Sequence, residues 1–213
     1  MSKIDKAIEV VKYAIKRSIR FGYLLIHSCF TCADFVRLIT SRHIKCHLIG
    51  MIKLGKTKYH AQWSDLTANQ IIKKLQKQGL TKYNRTLRCT YCTIDVKFAG
   101  TTVRLFFSKR GRKGNWNGLL TTNLSLSFLK AYRMYATCWI TEVAYHDCKQ
   151  LLDFGRCQST HFSAQIASFT PTMMQYYILC TVKLFEAYET ASALFRETQL
   201  VLLSCPFRTG YGN

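Results

Sequence analysis

The chain has 213 residues, of which 48% are hydrophobic and 13% aromatic, with only 2 Pro and 11 Gly; this excludes a disordered, collagen-like or linker-rich chain and suits one large domain, or one domain with an insertion. Lys and Arg total 31 against 11 Asp and Glu, a formal charge of +20, so polyanions are the expected partners, DNA or RNA first, with a ribosome-associated or membrane-surface protein as the alternative. No run of about 18 apolar residues occurs, and the apolar stretch Tyr23–Ile26 stops at His27, too short for a signal peptide, so no membrane span is expected, a cytoplasmic location is expected, and the ten cysteines read as reduced thiols.

Ile4, Ile8, Val11, Ile15 and Ile19 recur at three- and four-residue steps, which predicts a helix over 3–20. Lys3, Lys6, Lys12, Lys16, Arg17 and Arg20 occupy mostly its other faces, and Gly22 is its stop. Tyr23–Ile26 reads as a short buried strand. Residues 32–40 read as a second helix with Phe35, Val36 and Ile39 inward, and 47–54 as another strand.

From 55 to 122 the texture changes. A helix over 67–78 is flanked by strand-like runs at 88–98, 101–108 and 118–122, with Ala99-Gly100 as a hairpin turn. Residues 109–114, Lys-Arg-Gly-Arg-Lys-Gly, form a basic loop. The region reads as a β-rich insertion. Residues 125–152 read as one long helix capped by Asn123 or Ser125 and ended by Gly155. A second long helix spans 161–196, kinked at Pro171, and 199–213 is an unassigned tail.

Several residues carry chemistry. Tyr135, Cys138, Glu142 and Lys149 are offset by 0, 3, 7 and 14 positions. On a helix of ~100° per residue they fall within ~60° of one another. That stripe presents a phenol, a carboxylate and an amine, suited to a metal ion and neighbouring phosphates; a solvated polar face is the alternative. Lys109, Arg110, Arg112 and Lys113 lie beside glycines that let backbone approach a phosphate, so DNA contact is one reading and a solvated hairpin tip the other. Cys29/Cys32 and Cys89/Cys92 are two C-x-x-C pairs, but the 56 residues between them far exceed zinc-ribbon spacing. Trp63, Trp116 and Trp139 read as packing residues, with stacking on a base as the alternative.

The stretch Tyr135-Ala-Thr-Cys138-Trp-Ile-Thr-Glu142 continuing to Lys149 resembles the signature of DDE transposases of bacterial insertion sequences, the branch defined by Tyr, Arg, Glu and Lys at these spacings. Cys138 stands at the Arg position. Phe30–Asp34, Arg42–His47, Lys113–Thr122, Cys157–Ser159, Ala164–Ala167 and Phe185–Thr190 resemble further family stretches in the same order, covering roughly residues 3–197.

The resemblance implies an α/β, ribonuclease-H-like fold. Three carboxylates would hold two Mg²⁺ or Mn²⁺ ions that drive phosphodiester cleavage and joining at insertion-sequence ends. Glu142 would be the third carboxylate and metal ligand, with Tyr135 and Lys149 contacting DNA. His27 stands where the family has its second Asp, and an imidazole nitrogen is a poor bridge between hard cations that prefer anionic oxygen. The Cys138 position lacks a two-pronged phosphate contact.

The resemblance divides the chain into a core remnant at 1–54, the β-rich insertion at 55–122, core helices carrying the Glu motif at 123–198, and the tail at 199–213. The first strands and the first Asp find no counterpart before Met1. The expectation is therefore a truncated, inactive copy in the bacterial cytoplasm that binds DNA, with no membrane partner. It would act as a homo-oligomer or in a mixed dimer with a full-length transposase. The alternative is a non-catalytic basic DNA-binding protein. The strand at 23–26 is expected to leave an unpaired, aggregation-prone edge.

Overall fold

The structure, a computed structural model, describes residues 2–41, 44–62, 64–111, 113–185 and 193–198. The chain forms two compact units, residues 1–138 and residues 139–213. It is a mixed α/β protein.

The first unit is built on eight strands: β1 (Tyr23–Ile26), β2 (His47–Ile52), β3 (Lys58–Ala61), β4 (Ser64–Thr67), β5 (Lys82–Asn84), β6 (Cys89–Phe98), β7 (Thr101–Arg110) and β8 (Trp116–Thr121). They join one sheet in the order β1-β2-β8-β7-β6-β3-β4, with β5 beside β6. Among the described strands only β1 and β2 run parallel; the other pairings are antiparallel. Segments 1–54 and 55–122 thus share a sheet through β2 and β8, with Ile49 opposite Thr121 and Ile52 opposite Gly118. β1 is an edge strand. Its four residues, Tyr-Leu-Leu-Ile, carry no charge of the kind that usually protects an edge from another chain.

Strand alternation sends one set of side chains to each face. Leu48, Ile52, Cys92, Val96, Val103, Leu105, Phe107 and Leu120 meet Phe35, Val36 and Ile39 of α2 (Ala33–Ile39) and Ile71, Ile72 and Leu75 of α3 (Ala68–Lys77). Ile4, Ile8 and Val11 of α1 (Lys3–Lys16) pack against the same core. Each fully buried aliphatic or aromatic side chain here contributes roughly 1.5–3 kcal/mol. The opposite face, with Ile49, Cys89, Phe106 and Leu119, is covered by Phe128 and Ala131 of α4 (Phe128–Ala136). Tyr91 stacks on Phe128 there, ring centroids 4.3 Å apart and 8° from parallel.

Local chemistry sets the element ends. Ser2 and Asp5 form a capping box on α1, and Thr67 and Gln70 form one on α3. Ala99 and Gly100 both take positive φ, 55° and 84°, so the hairpin expected between β6 and β7 closes with Phe98 opposite Thr101.

Four sequence expectations need correction. The first helix ends at Lys16 rather than 20, because Ser18 turns to φ 59° and leaves Ile19 58% exposed. The cap of α4 is Ser127, whose hydroxyl accepts from Lys130 N–H. Asn123 instead accepts from Ser125 and donates to the Tyr23 hydroxyl at 2.7 Å. The single helix expected over 125–152 is two, α4 and α5 (Cys138–Leu151), meeting at Thr137. There the Thr137 N–H and hydroxyl both donate to Met134 O, at 3.2 and 2.7 Å, which competes with the ordinary four-residue ladder. Lys109 and Arg110, expected in a loop, end strand β7.

The second unit contains most of α5 together with α6 (Phe162–Phe185), which runs through Pro171; residues 193–198 are helical as well, while 186–192 and the tail 199–213 fall outside the described residues. Phe154 packs between Tyr145 and Phe169, at 5.9 and 5.3 Å. Gln165 donates to the carbonyls of Cys157 and Ser159, fastening the connecting loop to α6. No described helix is long and apolar enough to cross a membrane.

Candidate nucleic-acid interface

The charge of the chain is not shared between its two units. Residues 1–138 hold 26 of the 31 Lys and Arg but five of the 11 Asp and Glu, a net +21; residues 139–213 hold five against six, a net −1. The five acids of the first unit are engaged locally. Asp5 caps α1, its carboxyl held low by the Ser2 backbone N–H and then its hydroxyl. Glu9 lies 4.0 Å from Lys6, Asp34 3.0 Å from Arg37, Asp65 2.9 Å from His60 and Asp95 2.7 Å from Arg104. Five carboxylates cannot neutralise 26 cations, so solvent ions or a polyanionic partner must do so.

The cations lie on several elements. Lys3, Lys6, Lys12, Lys16 and Arg17 are exposed on α1 or its cap, and Lys73 and Lys77 on α3. The β7–β8 hairpin adds Lys109, Arg110 and Lys113; Arg112 lies outside the described residues. Lys109 pairs with Trp116 across the hairpin. It shares the sheet face of Phe107, whereas Arg110 shares that of Ser108 and Phe106. Lys109 and Arg110 of the expected basic cluster therefore fall on opposite faces of the hairpin, and Lys113 lies in its loop.

The signature residues are also divided. Tyr135, on α4, is half-buried against the core that holds Tyr23, Leu25 and Met51. His27 is exposed at the carboxyl end of β1, where its carbonyl accepts from Phe30 N–H and the Thr31 hydroxyl. Both belong to the first unit. Glu142 and Lys149 belong to the second. They share one face of α5, seven positions apart, which is about 10 Å along the axis. Cys138 opens that helix. Glu142 lines a recess of about 450 Å³ with Trp139, Val143 and His146, and among the described residues no second carboxylate lines it.

Metal-ligating residues do not gather. Among the described residues no three of His, Cys, Asp and Glu are placed to hold one ion. His27, at the position where the resemblance expects a bridging carboxylate, brings an imidazole, which does not fit Mg²⁺. Cys89 and Cys92 point to opposite faces of the sheet, one into each core, so they cannot share a zinc ion. Burial pushes the Cys92 thiol up to about 12. The Cys89 thiol is also raised by burial, against the lowering influence of Arg110. Trp116 is half-buried against the first core, Trp139 is 66% exposed, and Trp63 lies outside the described residues.

Sequence reading missed two features here. The confinement of charge was in plain view but needed the unit boundary. The second is the surroundings of Arg110: Ser108, Asn115, Asn117 and Tyr132 line a common cavity with it. Asn115 and Asn117 lie in the stretch 113–122, but nothing in the sequence joins them to Ser108 and Tyr132. No family model matches the chain, and no curated protein matches it either.

Proposed function

We propose that this chain binds DNA through its first unit, as a catalytically inactive relative of the DDE transposases of insertion sequences. The observation that carries the reading is the charge partition, +21 on residues 1–138 against −1 on the rest. A strand, a helix and a parallel strand, then a run of antiparallel strands, then helices bearing Tyr135 and Glu142, is the order a ribonuclease-H-like transposase core would have. The resemblance of the Tyr135–Lys149 stretch supports the ancestry. His27 in place of Asp argues against a bound metal pair, so no cleavage step is assigned. Association with a second copy or with a full-length transposase completes the proposal. A basic DNA-binding protein without that ancestry is the second reading, and the charge partition favours it equally.

The test is a titration of the full chain against two DNA duplexes, one carrying the sequences that flank its coding frame and one of mixed sequence, with and without Mg²⁺ or Mn²⁺. The expected result is binding that weakens steeply with salt, a preference for the flanking sequences, and no nicking. Equal affinity for both duplexes would favour the second reading. Divalent-dependent nicking, or no binding at low salt, would overturn the proposal.

A further inference from the structure

At the turn end of the β7–β8 hairpin, on the α4 side of the sheet, lies a cavity of about 420 Å³. It is lined by Arg110 and Ser108 of β7, Asn117 of β8, Gly114 and Asn115 of the connecting loop, and Tyr132 of α4, with Cys89 of β6 beside Arg110. The register explains the grouping: Ser108 stands opposite Asn117, and Arg110 opposite Cys89, so all four share one face. Among the described residues no acidic side chain lines the cavity. Among the described residues Arg110 forms no ion pair, whereas Arg104, on the same strand and face, is held by Asp95. Gly114 is required at the rim, since a Cβ there would collide with the carbonyl of Arg110. Gly114 therefore lies against the end of β7, and Asn115 lines the same cavity as Arg110.

We infer that this cavity is a phosphate-binding subsite, in which Arg110, Asn115, Asn117, Ser108 and Tyr132 donate to the non-bridging oxygens of a nucleic-acid phosphodiester. A guanidinium offers a planar fork of donors matched to two phosphate oxygens. The two amides and two hydroxyls supply neutral donors around it. The volume is that of a small-ligand pocket, room for a phosphate with its sugar and ordered water. The placement within the +21 unit favours a polymeric phosphate over a lone carboxylate. The inference rests on the DNA-binding reading for the source of its phosphate.

The test uses the full chain and two probes, a fluorescent mixed-sequence duplex and inorganic phosphate followed by its ³¹P line width. Arg110→Gln should weaken duplex binding about tenfold at fixed salt and reduce the salt slope by about one. Lys109→Gln, which removes the same charge outside the cavity, should change the slope with a smaller loss of affinity. Asn117→Ala and Ser108→Ala, which change no charge, should weaken binding about threefold each with the slope unchanged. Normal affinity in both neutral variants, with strong wild-type binding, would overturn the subsite and leave the DNA-binding reading standing. No duplex binding by the wild type, with phosphate broadening abolished by Arg110→Gln, would make this a site for free phosphate and sink the DNA-binding reading. Failure of both probes would remove both. Circular dichroism identical to wild type shows that each variant folds.

Discussion

Arg104 on β7 closes a two-pronged ion pair on Asp95 of β6, with Nε 2.7 Å from Oδ1 and Nη2 2.8 Å from Oδ2. The two residues stand directly opposite each other in the ladder. The same strand ends at Arg110, which has no such partner among the described residues. One cation thus serves the sheet and the other is available to a ligand.

Asp95→Ala should destabilise the first unit by about 1 kcal/mol, the upper range for a partly exposed pair of good geometry. A double-mutant cycle with Arg104→Ala, read by denaturant unfolding, should return a coupling energy of that size. A coupling near zero would mean that both groups are solvated and the pair adds nothing to stability.

Alkaline pH should loosen the first unit. Burial pushes the Cys92 thiol from its ordinary 9.0 up to about 12, and the Tyr59 phenol from 10.0 up to about 12. Both groups hold their protons more tightly folded than unfolded. Their contribution is therefore complete below pH 9 and is lost as pH rises towards 12. The thermal midpoint should fall across that window, and Cys92→Ala should make the fall shallower. In thiol labelling at neutral pH, exposed Cys29 should react well before buried Cys89, Cys92 and Cys148.

The joint at Thr137 gives a third expectation. Thr137→Ala removes the hydroxyl that donates to Met134 O at 2.7 Å and substitutes the best helix former. Helical ellipticity should rise slightly, and amide exchange at 137–141 should slow. Unchanged exchange would show that the joint is set by something other than the hydroxyl.

Charge reversal of the hairpin, Lys109→Glu with Arg110→Glu and Lys113→Glu, should reduce the salt slope of DNA binding by about 3. Lys149→Glu on α5 should leave it unchanged. The opposite pattern would move the interface to the second unit.

Much of the first unit was legible in the sequence because its signals are local. β6 alternates from Cys92 to Phe98, β7 carries a β-branched and aromatic apolar run, Ala99-Gly100 marks their turn, and Phe35, Val36 and Ile39 announce the buried side of α2. β3, β4 and β5 were missed because three- or four-residue strands carry too little alternation to stand out. The joint between α4 and α5 was missed because apolar residues keep their helical period across Thr137, and only a hydroxyl's choice of acceptor interrupts it. The Arg110 cavity was hidden for a different reason. Strand register sets Ser108 opposite Asn117, and the packing of α4 on the sheet adds Tyr132, neither of which a linear pattern displays. The Tyr135–Lys149 spacing was visible at once, yet its members fall on two helices and in two units.

The most direct measurement is photo-crosslinking of the full chain to a duplex carrying photoreactive thymidine, with the adducts located by mass spectrometry. The account predicts adducts within residues 1–138, concentrated between Arg104 and Asn117, and none on α5. Adducts centred on Glu142 and Lys149, with the hairpin unmarked, would contradict it.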